Sequence, residues 1–142
     1  MILYMLDTKK TKKQIIKYFI ISIFFLLLGY IYELYSHGVY SYYMIYAFLI
    51  PLLMGFIPYL IIYIKRFNRN LSELGMRIYN CFILTLTLGC TMKGFLEIYG
   101  TTNSLVFIYL KVSIILIIIS LIINIILNFR KKEINKWKKI LI

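Results

Sequence analysis

Four long apolar runs, at about residues 14–35, 44–64, 78–100 and 105–129, dominate this 142-residue chain. Each is long enough for a helix to cross about 30 Å of hydrocarbon, which takes roughly 20 residues. Inside lipid every backbone N–H and C=O needs a partner within the protein, so only helices and closed barrels can span. The runs are continuous rather than alternating, which excludes barrel strands. The expected fold is all-α: four transmembrane helices in an up-down-up-down bundle. Little chain remains outside the spans, so residues 1–142 are read as a single domain. A composition of 62% hydrophobic residues and a mean hydropathy of +0.84 agree with this and exclude an ordinary soluble domain.

The basic residues orient the bundle. Lys9, Lys10, Lys12, Lys13 and Lys17 precede or open the first run, and Lys65, Arg66, Arg69 and Arg77 lie between the second and third. Arg130, Lys131, Lys132, Lys136, Lys138 and Lys139 follow the fourth. The loops 36–43 and 100–104 hold none. Positive charge is retained on the cytoplasmic side, so both termini are expected inside a cell membrane. The partners implied are the bilayer and anionic lipid head groups of the cytoplasmic leaflet. These account for the net charge of +12 without nucleic acid. The first run is too long for a signal-peptide core and no small-x-small site follows it, so it is read as retained.

The cysteines argue against a thiol–disulfide enzyme. Cys81 and Cys90 share the third run, nine positions apart. A helix separates them by roughly 13–14 Å, whereas a disulfide needs Cα atoms within about 7 Å. Both read as small packing residues. Glu33-Leu34-Tyr35 and Glu97-Ile98-Tyr99 recur near the ends of the first and third runs. That spacing suggests a tandem helical-hairpin repeat, of the parallel kind found in some transporters.

Charges at membrane depth locate the candidate site. Ionisable groups in lipid are costly and usually face a bundle interior or a wet cavity. Glu33, Lys93, Glu97 and Lys111, with His37 one turn beyond Glu33, all fall toward the outer ends of their runs. On the first run Ser22, Gly29, Glu33 and His37 share a face; on the third, Cys81, Thr85, Gly89, Lys93 and Glu97 follow at steps of four. Ser113, Ser120, Asn124 and Asn128 share a face of the fourth, with Lys111 opposite.

The ligand-binding set read from this pattern is Glu33, His37, Lys93 and Glu97, flanked by Tyr35 and Tyr99. The same charges could instead neutralise one another and hold the helices in register, with Lys93 and Glu97 paired at i, i+4. A metal set of Glu33, His37 and Glu97 is a weaker alternative, disfavoured by the neighbouring lysines. Nine of the 14 tyrosines (Tyr30, Tyr32, Tyr35, Tyr40, Tyr42, Tyr43, Tyr46, Tyr99 and Tyr109) crowd the same end, as an aromatic belt or as walls of a site.

Pro51, Gly55 and Pro58 predict a bent second span with freed carbonyls. Residues 130–142 predict a short interfacial amphipathic helix, and Met1–Leu6 is apolar enough to lie on the same surface. No Gly-rich phosphate loop, Ser/His/Asp set or second haem-binding histidine occurs. No cofactor is expected, and no motif marks an enzyme. The function expected is a transport or accessory membrane subunit that binds a small ligand or a partner's helix. A membrane-embedded enzyme, a metal or redox carrier and a structural subunit are the alternatives. A homo-oligomer or a membrane-protein partner fits any of these.

Overall fold

The computed structural model describes residues 2–36, 38–64 and 73–140, with side chains over 9–36, 38–64 and 73–127. The chain folds as α1 (Ile2–Tyr35), α2 (Tyr42–Tyr46), a π-helical turn (Pro51–Phe56) and α3 (Ile57–Ile64), then α4 (Glu73–Ile98), a 3₁₀ turn (Ser104–Val106) and α5 (Phe107–Ile140). No strand occurs among the described residues. The stretches Lys9–Tyr35, Tyr42–Ile64, Glu73–Ile98 and Ser104–Leu127 are long and apolar enough to cross a membrane. The protein is an all-α, multi-pass membrane protein built as a four-helix bundle. Two predicted boundaries move. Ile2–Leu6 belongs to α1, and the tail helix is a direct continuation of α5 as far as Ile140.

Local chemistry explains the breaks. Gly38 and Gly100 take positive φ, of 89° and 68°, a region open to residues without a Cβ. At Gly100 the turn is a Schellman motif: Thr101 N–H donates to Leu96 O at 2.9 Å and Gly100 N–H to Glu97 O at 3.1 Å. Asn103 caps the return, its side-chain oxygen accepting from Leu105 N–H at 2.9 Å.

The second span departs from α-helical geometry where its prolines sit. Pro51 has no N–H for Ala47 O, which accepts from Ile50 instead. Five residues on, the ladder has widened, and Ile57 N–H reaches back to Leu52 O. Pro58 likewise offers no N–H to Met54 O, and the Tyr79 hydroxyl donates to that carbonyl at 2.7 Å. A second hydroxyl, Ser22 Oγ, donates to Phe48 O at 3.1 Å.

The second span sits between α1 and α4, and α5 packs along α4. Met44 is wedged where the elements meet at the tyrosine-rich end. A Cβ at Gly94 would lie 2.9 Å from Met44 N, and one at Gly29 would lie 3.0 Å from Met44 O. Small residues let the backbones approach this closely.

A cluster of buried apolar side chains lies nearer the basic end, around Tyr18, Tyr59, Phe82 and Ile83. The Tyr18 and Tyr59 rings stack with centroids 5.7 Å apart. Both hydroxyls donate to Asn80 Oδ1, at 2.6 and 2.9 Å. On α5, Ser113 and Ser120 are buried and Lys111 is exposed, as the sequence pattern implies. On α4 the pattern shifts. Cys81 and Glu97 are exposed, and the buried line runs through Ile83, Thr87, Thr91 and Gly94. A strict four-step stripe drifts around a 3.6-residue helix, so its two ends leave the interface that its middle, Gly89, still occupies.

Candidate functional site

The tyrosine-rich end is assembled by three elements. Ser41, 1% exposed, closes the loop after α1 and donates from Oγ to Glu97 Oε2 at 2.7 Å. This bond ties the start of the second span to the last turn of α4. One helical turn earlier, the Lys93 ammonium lies 3.8 Å from the Tyr43 ring centroid and 5.4 Å from that of Phe107. Two aromatic faces thus hold the cation in place of a carboxylate.

Two cavities meet at this lysine. The larger, of about 330 Å³, has Lys93, Glu97, Thr101, Thr102, Asn103 and Ser104 among its walls. The smaller, of about 200 Å³, runs down among Tyr43, Leu86, Gly89, Cys90 and Leu110. Lys93, Val106 and Phe107 line both. Both cavities expose mainly apolar wall, the larger one edged by Glu97, three hydroxyls and an amide, with one cation at their junction.

The six residues singled out from sequence separate into three groups. Lys93 and Glu97 share the larger cavity. Glu33 does not line it; its Oε1 is buried without a hydrogen-bond partner among the described residues. Tyr35 and Tyr99 are exposed, and the neighbouring Tyr32 packs its ring 4.7 Å from that of Phe95. His37 lies outside the described residues. So does any test of the metal set that includes it. Among the described residues no group of three or more His, Cys, Asp or Glu is close enough to hold a metal.

The expected neutralisation within this cluster is not formed. Lys93 and Glu97 stand at i, i+4 without pairing, and the ion pair among the described residues joins Lys10 to Glu73 at the other end. Glu97 satisfies its carboxylate with a hydroxyl, and Lys93 turns onto two rings. The order Lys-then-Glu is the weaker i, i+4 orientation, which makes that exchange easy.

Sequence reasoning missed Ser41, Phe107 and the polar run Thr101–Ser104. The run was visible as four consecutive small polar residues after Gly100, but only the α4–α5 turn brings it over Lys93. Asn80 was also missed, although an amide within an apolar run carries the same cost argument as a charge. The chain matches no protein-family model, no curated protein and no solved structure.

Proposed function

We propose that the chain is a ligand-binding membrane subunit, with a transport or accessory role, that holds a small amphipathic molecule at its tyrosine-rich end. The observation that carries this reading is Lys93 at the junction of two cavities, unpaired with the Glu97 that shares its wall. An acidic group on the ligand meets the ammonium. A donor group meets Glu97 or the Asn103 amide. The apolar part enters the slot between Tyr43, Leu86 and Leu110. Between this site and the basic end, Tyr18, Tyr59, Phe82 and Ile83 pack together, which favours binding from one side over free passage.

Lys93→Met tests the site. Methionine keeps an unbranched chain against Tyr43 and Phe107, and no carboxylate is stranded, so the fold should hold. Purified wild type and variant are incubated with a small-molecule extract of the expressing cells, and retained species are identified by mass spectrometry. Acidic species enriched by the wild type should fall by about tenfold or more in the variant, the scale of one charged hydrogen bond. Identical profiles would refute the site.

In this reading the tyrosine-rich end faces outward and the basic end faces the cytoplasm. With Cys81 and Cys90 replaced by serine, Thr102→Cys should react with an impermeant maleimide on intact cells. Leu74→Cys should react only after permeabilisation. The reverse pattern overturns the orientation.

A further inference from the structure

A separate cavity of about 320 Å³ opens at the basic end, between α1, α3 and α4. Its walls include Lys10, Lys13 and Arg77, against one carboxylate, Glu73, which is paired with Lys10. The wall charge is therefore net positive. Two amides, Gln14 and Asn80, also line it. Asn80 Oδ1 already accepts from Tyr18 and Tyr59, so what this amide still has to offer is its two N–H donors. Gln14 has a buried side-chain oxygen without a hydrogen-bond partner among the described residues. A carboxamide turned over presents an N–H₂ in the same place. The cavity thus combines cations with amide donors. A guanidinium matches the geometry of a phosphate's oxygens.

We propose that this cavity binds a phosphate-bearing anion, with Lys13 and Arg77 taking the phosphate oxygens and Asn80 and Gln14 donating from beside them. The phosphate belongs to a phospholipid head group of the adjoining leaflet or to a soluble phosphoester. This differs from diffuse attraction of basic residues to an anionic surface, because Lys9 and Lys12 are exposed on the same helix yet do not line the cavity.

The test is native mass spectrometry of the full chain in detergent, offered phosphatidylglycerol or a diacylglycerol with the same acyl chains. A parallel arm measures thermal unfolding in inorganic phosphate against chloride at matched ionic strength. The wild type should retain phosphatidylglycerol over diacylglycerol. Lys13→Gln/Arg77→Gln should lower that retention by about thirtyfold, the scale for two basic contacts near a membrane surface. Lys9→Gln/Lys12→Gln removes the same charge outside the cavity and should leave retention unchanged. Glu73→Gln, which removes the one carboxylate from the cavity wall, should raise it. Protection by inorganic phosphate that is lost only in Lys13→Gln/Arg77→Gln supports the same site with a soluble occupant. Equal losses in the two double variants, or none in Lys13→Gln/Arg77→Gln in either arm, overturn the proposal.

Discussion

Gly55→Ala should destabilise the bundle by about 1–3 kcal/mol, the range for overpacking a well-filled core. Helix propensity alone argues the other way, since alanine is favoured over glycine by about 0.5–1 kcal/mol within a helix. Sterics decide the sign. A Cβ at Gly55 would lie 2.4 Å from the Tyr18 ring. That ring is completely buried, stacked on Tyr59, and held through its hydroxyl to Asn80 at 2.6 Å. Moving it aside would disturb both the stack on Tyr59 and the hydrogen bond to Asn80. Gly75→Ala is the contrast. There the Cβ would meet the Asn124 amide at 2.6 Å, the far end of a flexible side chain. Its cost should be smaller. Unfolding both variants in mixed micelles with increasing dodecyl sulfate measures the difference. A neutral Gly55→Ala would show that the Tyr18 ring is not confined as described.

The second large effect is expected at Asn80. Asn80→Leu removes the acceptor shared by two phenols and should cost about 1–3 kcal/mol, the penalty of leaving buried donors unmet. The magnitude belongs to the hydroxyls rather than to the amide itself. Adding Tyr18→Phe and Tyr59→Phe to Asn80→Leu should therefore recover most of the loss, because an apolar set of similar shape has nothing left unsatisfied. Polar pairs in membranes are often worth less, averaging about 0.6 kcal/mol, since the unfolded spans find other partners. Here two donors converge on one oxygen within the packed core, which favours the upper part of the range. Stability curves for the single and triple variants separate the two cases. An Asn80→Leu variant as stable as wild type would mean that water entering the basic-end cavity replaces the amide.

The four spans and the departure from α-helical geometry at Pro51 were legible because each follows from chemistry that acts locally. Lipid cannot satisfy a backbone, so length and hydropathy dictate a helix. A proline lacks an N–H wherever it sits. The capped turn at Gly100 belongs to the same class, since only the φ of one residue is at stake. The candidate site was legible in part. Lys93 and Glu97 stood out as charges in apolar runs, and both line one cavity. Their partners did not stand out. Ser41 lies 56 positions from Glu97, and Tyr43 lies across an interface from Lys93.

What the sequence determined alone is the number of spans, their approximate limits, the segregation of charge between the two ends and the depth of each ionisable group. Tertiary structure decided which of those groups meet. A charge in lipid must be met by something, but ring faces, a hydroxyl and a carboxylate can each do so, and helical spacing does not choose among them. Lys93 meets Tyr43 and Phe107 because Gly94 lets Met44 and the start of the second span close onto α4. Glu97 meets Ser41 by the same closure. The Tyr18–Asn80–Tyr59 junction likewise depends on the ring-sized space left by Gly55 in a neighbouring span. Periodicity says which faces of a helix are small or polar. The π-helical turn of the second span and the close approaches at Gly29, Gly55 and Gly94 decide which faces touch.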